Sequence, residues 1–139
     1  ELDLLSIDID GNDWWVWKAI SSAKARVVVV EYNPSFGPDR AVTIPYDPLF
    51  QRFKRPPSGN YHGASLGGLA KLGRTLGYDL VGCDSSGSNA FFVRSDLALA
   101  AGLTGLSVGD AFVPSRTRAR RWTAAEQFAM IAELPLVEV

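Results

Sequence analysis

Hydrophobic and polar positions change character abruptly along the first thirty residues. Residues 3–10 form an apolar run, Leu4, Leu5, Ile7 and Ile9, that climbs into carboxylates and breaks at Gly11. Such a run predicts a buried parallel strand that delivers acids to the carboxyl edge of an α/β sheet, where open sheets bind their ligands. Residues 11–13 predict a turn, with Asp13 as the N-cap of a short helix through about Ala23. On that helix Trp14, Trp17 and Ile20 fall at helical spacing and should face the sheet. Arg26 to Tyr32 is β-branched and continuous, a second strand covered on both faces. Strand, helix and strand in this length predict a βαβ unit with a right-handed crossover.

The next segment, from Asn33 onward, carries prolines at 34, 38, 45, 48, 56 and 57 and reads as a long loop. Residues 65–76 return to helix, capped by Ser65, with Leu66, Leu69 and Leu76 on the apolar side and Gly77 as C-cap. Glycines 67, 68 and 73 weaken that helix and point to close packing. Two strands, 78–83 and 89–94, flank Asp84-Ser85-Ser86-Gly87-Ser88 and predict an antiparallel hairpin. Residues 95–115 read as loop with short helical pieces. Thr123-Ala124-Ala125-Glu126 is a capping box opening a terminal helix to about Leu134. The expected organisation is one α/β unit over residues 1–95 and a loop-rich extension with a terminal helix over 96–139.

Composition narrows the classes. A chain of 139 residues can hold one real core, and 14 basic against 15 acidic residues leave no global field for nucleic acid or a membrane surface. The single cysteine, Cys83, excludes an internal disulfide and suits a reducing, cytoplasmic setting; its place within a strand predicts a small buried side chain. No apolar run reaches the ~18 residues of a membrane span. The chain starts at Glu1 and enters a strand almost at once, as the later part of a longer protein would.

The chemistry concentrates at the two strand ends. Asp8, Asp10, Asn12 and Asp13 lie within six positions, more negative charge than a strand end needs, since like charges this close repel. Asp10 at the strand tip reads as a metal ligand or general base, or with Asn12 it builds the turn; Asp8 behind it reads as bonded to loop amides. Glu31 and Asn33 follow the second strand on one face and should lie beside Asp10. Three oxygen ligands from Asp10, Glu31 and Asn33 would suit Mg²⁺, while a Glu31 paired with an arginine or lysine is the plainer alternative. His62, the only histidine, sits ahead of the second helix as a structural residue or as a base for an acceptor hydroxyl. Trp15 is expected to be exposed or to cover a sugar or aromatic acceptor. Asn12 and Asn33 are candidates to bind the acceptor; the loop aromatics Tyr32, Phe36 and Tyr46 are candidates to line the same pocket, with packing under the long loop as the reading favoured for them. Arg116, Arg118, Arg120 and Arg121 form the one basic cluster; a phosphate of a nucleotide-linked acceptor or a nucleic-acid backbone would suit it, but with no aromatic interleaved it reads as a solvated run.

The order of elements resembles the way class I S-adenosylmethionine-dependent methyltransferases finish. Their sheet runs parallel until its last strand inserts antiparallel beside the fifth. Asp3-Leu4-Leu5-Ser6-Ile7-Asp8-Ile9-Asp10-Gly11 resembles the fourth strand of the FkbM-like members, Arg26 to Glu31 their fifth, and Ser88 to Val93 their closing strand. The resemblance covers roughly residues 1–95. It implies a Rossmann-like partial domain, S-adenosylmethionine as cofactor, a small-molecule or sugar oxygen as acceptor, and an amino-terminal half bearing the cofactor site as partner. The family's glycine-rich loop after its first strand is not in these 139 residues. On that reading the chain alone is inactive. Two other classes compete. Ile7-Asp8-Ile9-Asp10-Gly11 also resembles the first motif of haloacid-dehalogenase-type phosphatases, and Gly109-Asp110 echoes their later metal motif. A non-enzymatic interaction module built on a half-sheet is the third.

Overall fold

A computed structural model of the chain describes residues 2–20, 22–55 and 59–139. Strand β1 (Leu2–Ile7) leads through helix α1 (Asp13–Ala19) to strand β2 (Ala25–Glu31), and the two strands pair in parallel with Leu5 opposite Val28 and Ile7 opposite Val30. This is the expected βαβ unit, with β1 ending three residues early. The Asp13 carboxylate takes the amides of Ile9 and Gly11 at 2.9 Å each and draws the chain out of the sheet. Asp10, between them, adopts φ +60, a left-handed conformation uncommon outside glycine. Helix α1 ends at Ala19, short of Ala23.

A two-residue strand, β3 (Val42–Thr43), interrupts the long loop. Helix α2 (Leu66–Leu76) then runs as expected. Ser65 accepts from the Gly68 amide, and Gly77 closes it in the left-handed region at φ 85. A side chain at Gly67 would put its Cβ 2.4 Å from the Arg40 carbonyl oxygen, so its glycine is there for close packing. Strands β4 (Tyr78–Cys83) and β5 (Asn89–Arg94) form the hairpin, and β5 inserts between β2 and β4, antiparallel to both. The main sheet has the order β1-β2-β5-β4 and is therefore mixed.

Both α1 and α2 cover one face of this sheet. Trp14, Trp17, Leu66, Leu69 and Leu72 close on Ile7, Val28, Val30, Leu80 and Phe92, and the Trp14 indole donates to the Gly68 carbonyl. At about 25 cal/mol per Å² of apolar area, this cluster is the main source of stability. The opposite face is thinly covered. Helix α3 (Ser95–Ala100) packs on β5 and β4, leaving Val27, Val29, Phe91 and Val93 partly exposed and Leu4 58% exposed. Helix α4 (Val108–Ala111) lies against β4.

Residues beyond 95 also fold back over the carboxyl edge. Helix α5 (Ala124–Ala129) opens with the expected capping box and stops at Ala129; turns follow, with Leu134 bonding back to Ile131. Strand β6 (Val137–Glu138) pairs antiparallel with β3. Ile131 is fully buried with Phe36, Val42, Ile44 and Tyr61 in a second, smaller core. No helix among the described residues is long and apolar enough to cross a membrane.

Candidate functional site at the carboxyl edge

The parallel register sets Glu31, the last residue of β2, beside the residues that leave β1. Carboxylate oxygens of Asp8, Asp10 and Glu31 come within 4.8 Å of one another. Like charges at this range repel, and the long loop supplies the answer. Arg52 Nη1 lies 2.6 Å from Asp10 Oδ1 and 3.1 Å from Glu31 Oε1, while its Nε donates to the Gly59 carbonyl at 3.0 Å. Asp10 is 55% exposed; the Glu31 side chain is 12% exposed. Burial pushes Glu31 up to about 7, with Asp13, Asp8 and Asp10 adding to the rise and Arg52 opposing it.

His62 stands behind Glu31 at 1% exposure. Its Nε2 lies 3.0 Å from Arg118 Nη2. A guanidinium only donates, so Nε2 accepts and the neutral ring carries its proton on Nδ1. That Nδ1 faces Glu31 Oε2 at 3.8 Å, and neither buried atom has a hydrogen-bond partner among the described residues. Burial holds the imidazole well below its ordinary value, with the charges of Arg52 and Arg118 acting the same way.

Arg118 is the residue that the sequence hides. The basic run reads as solvated, but the structure folds Arg118 into the site, where it bonds Asn33 Oδ1 and Ser35 Oγ at 2.8 Å each. Its flanking Arg116 and Arg120 are exposed, as expected of a solvated run. Only the docking of residues 113–121 against the segment after β2, at Tyr32, Asn33 and Ser35, and against the hairpin turn at Ser86 separates one arginine from its neighbours. No sequence pattern marks it. Arg52, in the Pro-rich loop, carries no local signal either.

The other candidates divide. Asn33 is fully buried and its amide donates to the carbonyls of Asn60 and His62, while its oxygen accepts from Ser35 and Arg118. Both lone pairs are thus in use, and a metal would have to displace a bond. Asn12 is tied both ways to the Asp47 backbone. Asp13, expected as an N-cap, is instead the first residue of α1 and the builder of the turn, with Asn12 at the cap position. Trp15 is half-buried rather than exposed: its indole donates to the Ile44 carbonyl, and its ring meets Trp14 and Tyr46 edge to face. Tyr32 is buried, with its hydroxyl donating to the Val113 carbonyl. Cys83 is only partly buried. Asp110 pairs with Ser107 at the start of α4 and does not join the acid cluster.

No family model, curated protein or solved structure matches this chain. The site's own chemistry must therefore carry the reading. Beside Glu31 lies a cavity of about 230 Å³, lined also by Tyr32, Arg52, Ser88, Ser115, Thr117 and Arg118. It holds one carboxyl poised near neutrality, two guanidinium groups and the three aliphatic hydroxyls of Ser88, Ser115 and Thr117, besides the Tyr32 phenol. The spacing of Asp8, Asp10 and Glu31 would admit a divalent ion, but the Arg52 guanidinium already stands between two of the three. The donor set fits an arginine-bridged pair of acids better than a metal site.

Proposed function

We propose that the chain is the acceptor-side portion of a class I, FkbM-like methyltransferase domain that transfers a methyl group from S-adenosylmethionine to an oxygen of a small-molecule or sugar acceptor. One observation carries the reading. β5 inserts between β2 and β4, antiparallel to a strand that itself pairs in parallel with β1. We read that order as the finish of a Rossmann-like methyltransferase sheet, with acids at the ends of the strands that resemble its fourth and fifth. The edge of β1, unpaired among the described residues, and the thinly covered sheet face agree with it, since parallel strands are ordinarily continued and covered.

Within this reading S-adenosylmethionine, when bound, supplies the electrophilic methyl. This chain positions the acceptor and manages its proton. A base works best with a pKa near the working pH, and Glu31 meets that condition while lining the cavity. It takes the part that the sequence suggested for His62, whose Nε2 is occupied by Arg118 and whose Nδ1 backs Glu31. Asp10 orients Arg52 across the strand ends. A phosphatase reading lacks its second acid, because Asp110 stands apart from Asp8 and Asp10.

The test uses the intact natural protein. Equilibrium dialysis against labelled S-adenosylmethionine should show saturable binding, and transfer of label to a panel of hydroxylated acceptors should follow. Glu31→Gln should keep cofactor binding and lose roughly 10²-fold or more in transfer rate. No cofactor binding at millimolar concentration would sink the methyltransferase reading; full transfer by Glu31→Gln would sink the role of Glu31 alone.

A further inference from the structure

The two arginines of the cavity differ in how their charge is met. Arg52 has Asp10 and Glu31 within salt-bridge distance. Arg118 has no carboxylate partner among the described residues. Its bonds go to Asn33 Oδ1, Ser35 Oγ, the Gly59 carbonyl at 3.4 Å and His62 Nε2, all of them neutral acceptors. No bond from its Nε–H is made among those residues. A half-buried guanidinium without a counter-ion is costly, and its planar fork matches a carboxylate or phosphate better than any other group. Burial and the nearby Arg52 push it down to about 10, and the charge of Glu31, beyond salt-bridge distance, only partly opposes the fall. Ser88, Ser115 and Thr117 line the same space and can complete an anion's hydrogen bonds.

We propose that this cavity binds an oxyanion, the carboxylate or phosphate of the methyl acceptor, with Arg118 as its counter-ion and Glu31 beside the acceptor hydroxyl. At about 230 Å³ the space suits a small hydroxylated acid rather than a long chain. The substrate class follows from three features together: an unmatched guanidinium, a lining of hydroxyls, and a carboxyl able to receive a proton. As a statement about the acceptor it rests on the methyl-transfer reading; as an oxyanion site it can be measured without turnover.

The experiment is calorimetric titration of the intact protein with inorganic phosphate, glycerol 3-phosphate and glycerate. Saturable binding of at least one is expected, tighter for the hydroxylated ligands than for phosphate alone. Preference for glycerol 3-phosphate or for glycerate decides between the two anions. Arg118→Gln should weaken binding about tenfold or more. Because Arg118 also ties Asn33 and Ser35, that variant could fail to fold; Thr117→Val should then weaken binding a few-fold at unchanged melting temperature, and Ser115→Ala, whose hydroxyl also accepts from the Arg118 amide, should weaken it a few-fold. Absence of binding by all three ligands at about 50 mM, or a folded Arg118→Gln protein that binds like wild type, overturns the proposal. So does unchanged binding in both hydroxyl variants when Arg118→Gln does not fold. Oxyanion binding by a protein that binds no S-adenosylmethionine would retire methyl transfer and keep the site. Methylation of a neutral acceptor without oxyanion binding would do the reverse.

Discussion

The segments that follow the two parallel strands solve the same problem in opposite ways. Each must hold a buried carboxylate. After β1, Asp13 spends its oxygens on the amides of Ile9 and Gly11, four and two residues away. After β2, Glu31 has one oxygen on Arg52, 21 residues distant, and the other facing an unpartnered His62 nitrogen. Burial raises both carboxyls, but Asp13 keeps backbone donors that oppose the rise. The difference separates a carboxylate that shapes the chain from one held by a single distant ion pair. Satisfied buried polar groups specify structure, and unsatisfied ones in native folds call for an explanation.

The largest test of this contrast is Asp13→Ala. Removing the acceptor strands the buried Gly11 amide and the part-buried Ile9 amide, so the variant should lose about 3 kcal/mol in urea unfolding. A loss no greater than that of the exposed Asp10→Ala would break the comparison from the structural side.

A pH series attacks it from the other. Glu31 has its folded-state value raised above 4.5, so its stabilising contribution is complete below 4.5 and is lost as pH rises through about 7. His62 has its value depressed below 6.5, so its contribution is complete above 6.5 and is lost as pH falls. Between 4.5 and 6.5 the two slopes oppose each other. Relative to wild type, Glu31→Gln should therefore gain stability with rising pH in that window, by about 1.4 kcal/mol per unit. His62→Gln should show the opposite relative slope. Parallel pH profiles for wild type and both variants would show that neither group is perturbed by its surroundings.

Smaller effects sharpen the picture. Trp15→Phe removes the indole bond to the Ile44 carbonyl but keeps most of the ring packing, and should cost about 1 kcal/mol. Asp10→Ala breaks a pair whose acid is largely exposed and should cost under about 1 kcal/mol. Smallest of all, saturating Mg²⁺ or Mn²⁺ should leave the melting temperature within about 1 °C, because Arg52 occupies the space between Asp10 and Glu31. A clear rise with Mn²⁺ would mean that the cation displaces the arginine.

Much of the framework was legible in the chain. The apolar runs at 3–10 and 26–32, the Trp14 and Trp17 spacing, the Ser65 cap, the Gly77 stop and the Thr123-to-Glu126 box all mark elements that form at or near those positions. These signals are local, resting on side-chain periodicity and on bonds between residues three or four apart. Strand β6 was not legible, because two residues become a strand only by pairing with β3. Asp13 was misplaced at the cap because its bonds run back to residues 9 and 11 rather than forward into the helix.

For the site, the sequence by itself determined that carboxylates stand at the ends of two neighbouring parallel strands. Hydrophobic pattern and strand length suffice for that, since a buried strand must end where its polar residues begin. Tertiary structure alone decided what answers those charges. Arg52 reaches them from a loop with no periodic signal, and Arg118 is drawn from a basic run whose neighbours remain in water. The same packing seals His62 behind Glu31. Charge compensation acts through space over a few ångströms, between residues that the chain separates by 21 to 85 positions. No pattern along the sequence encodes such a meeting.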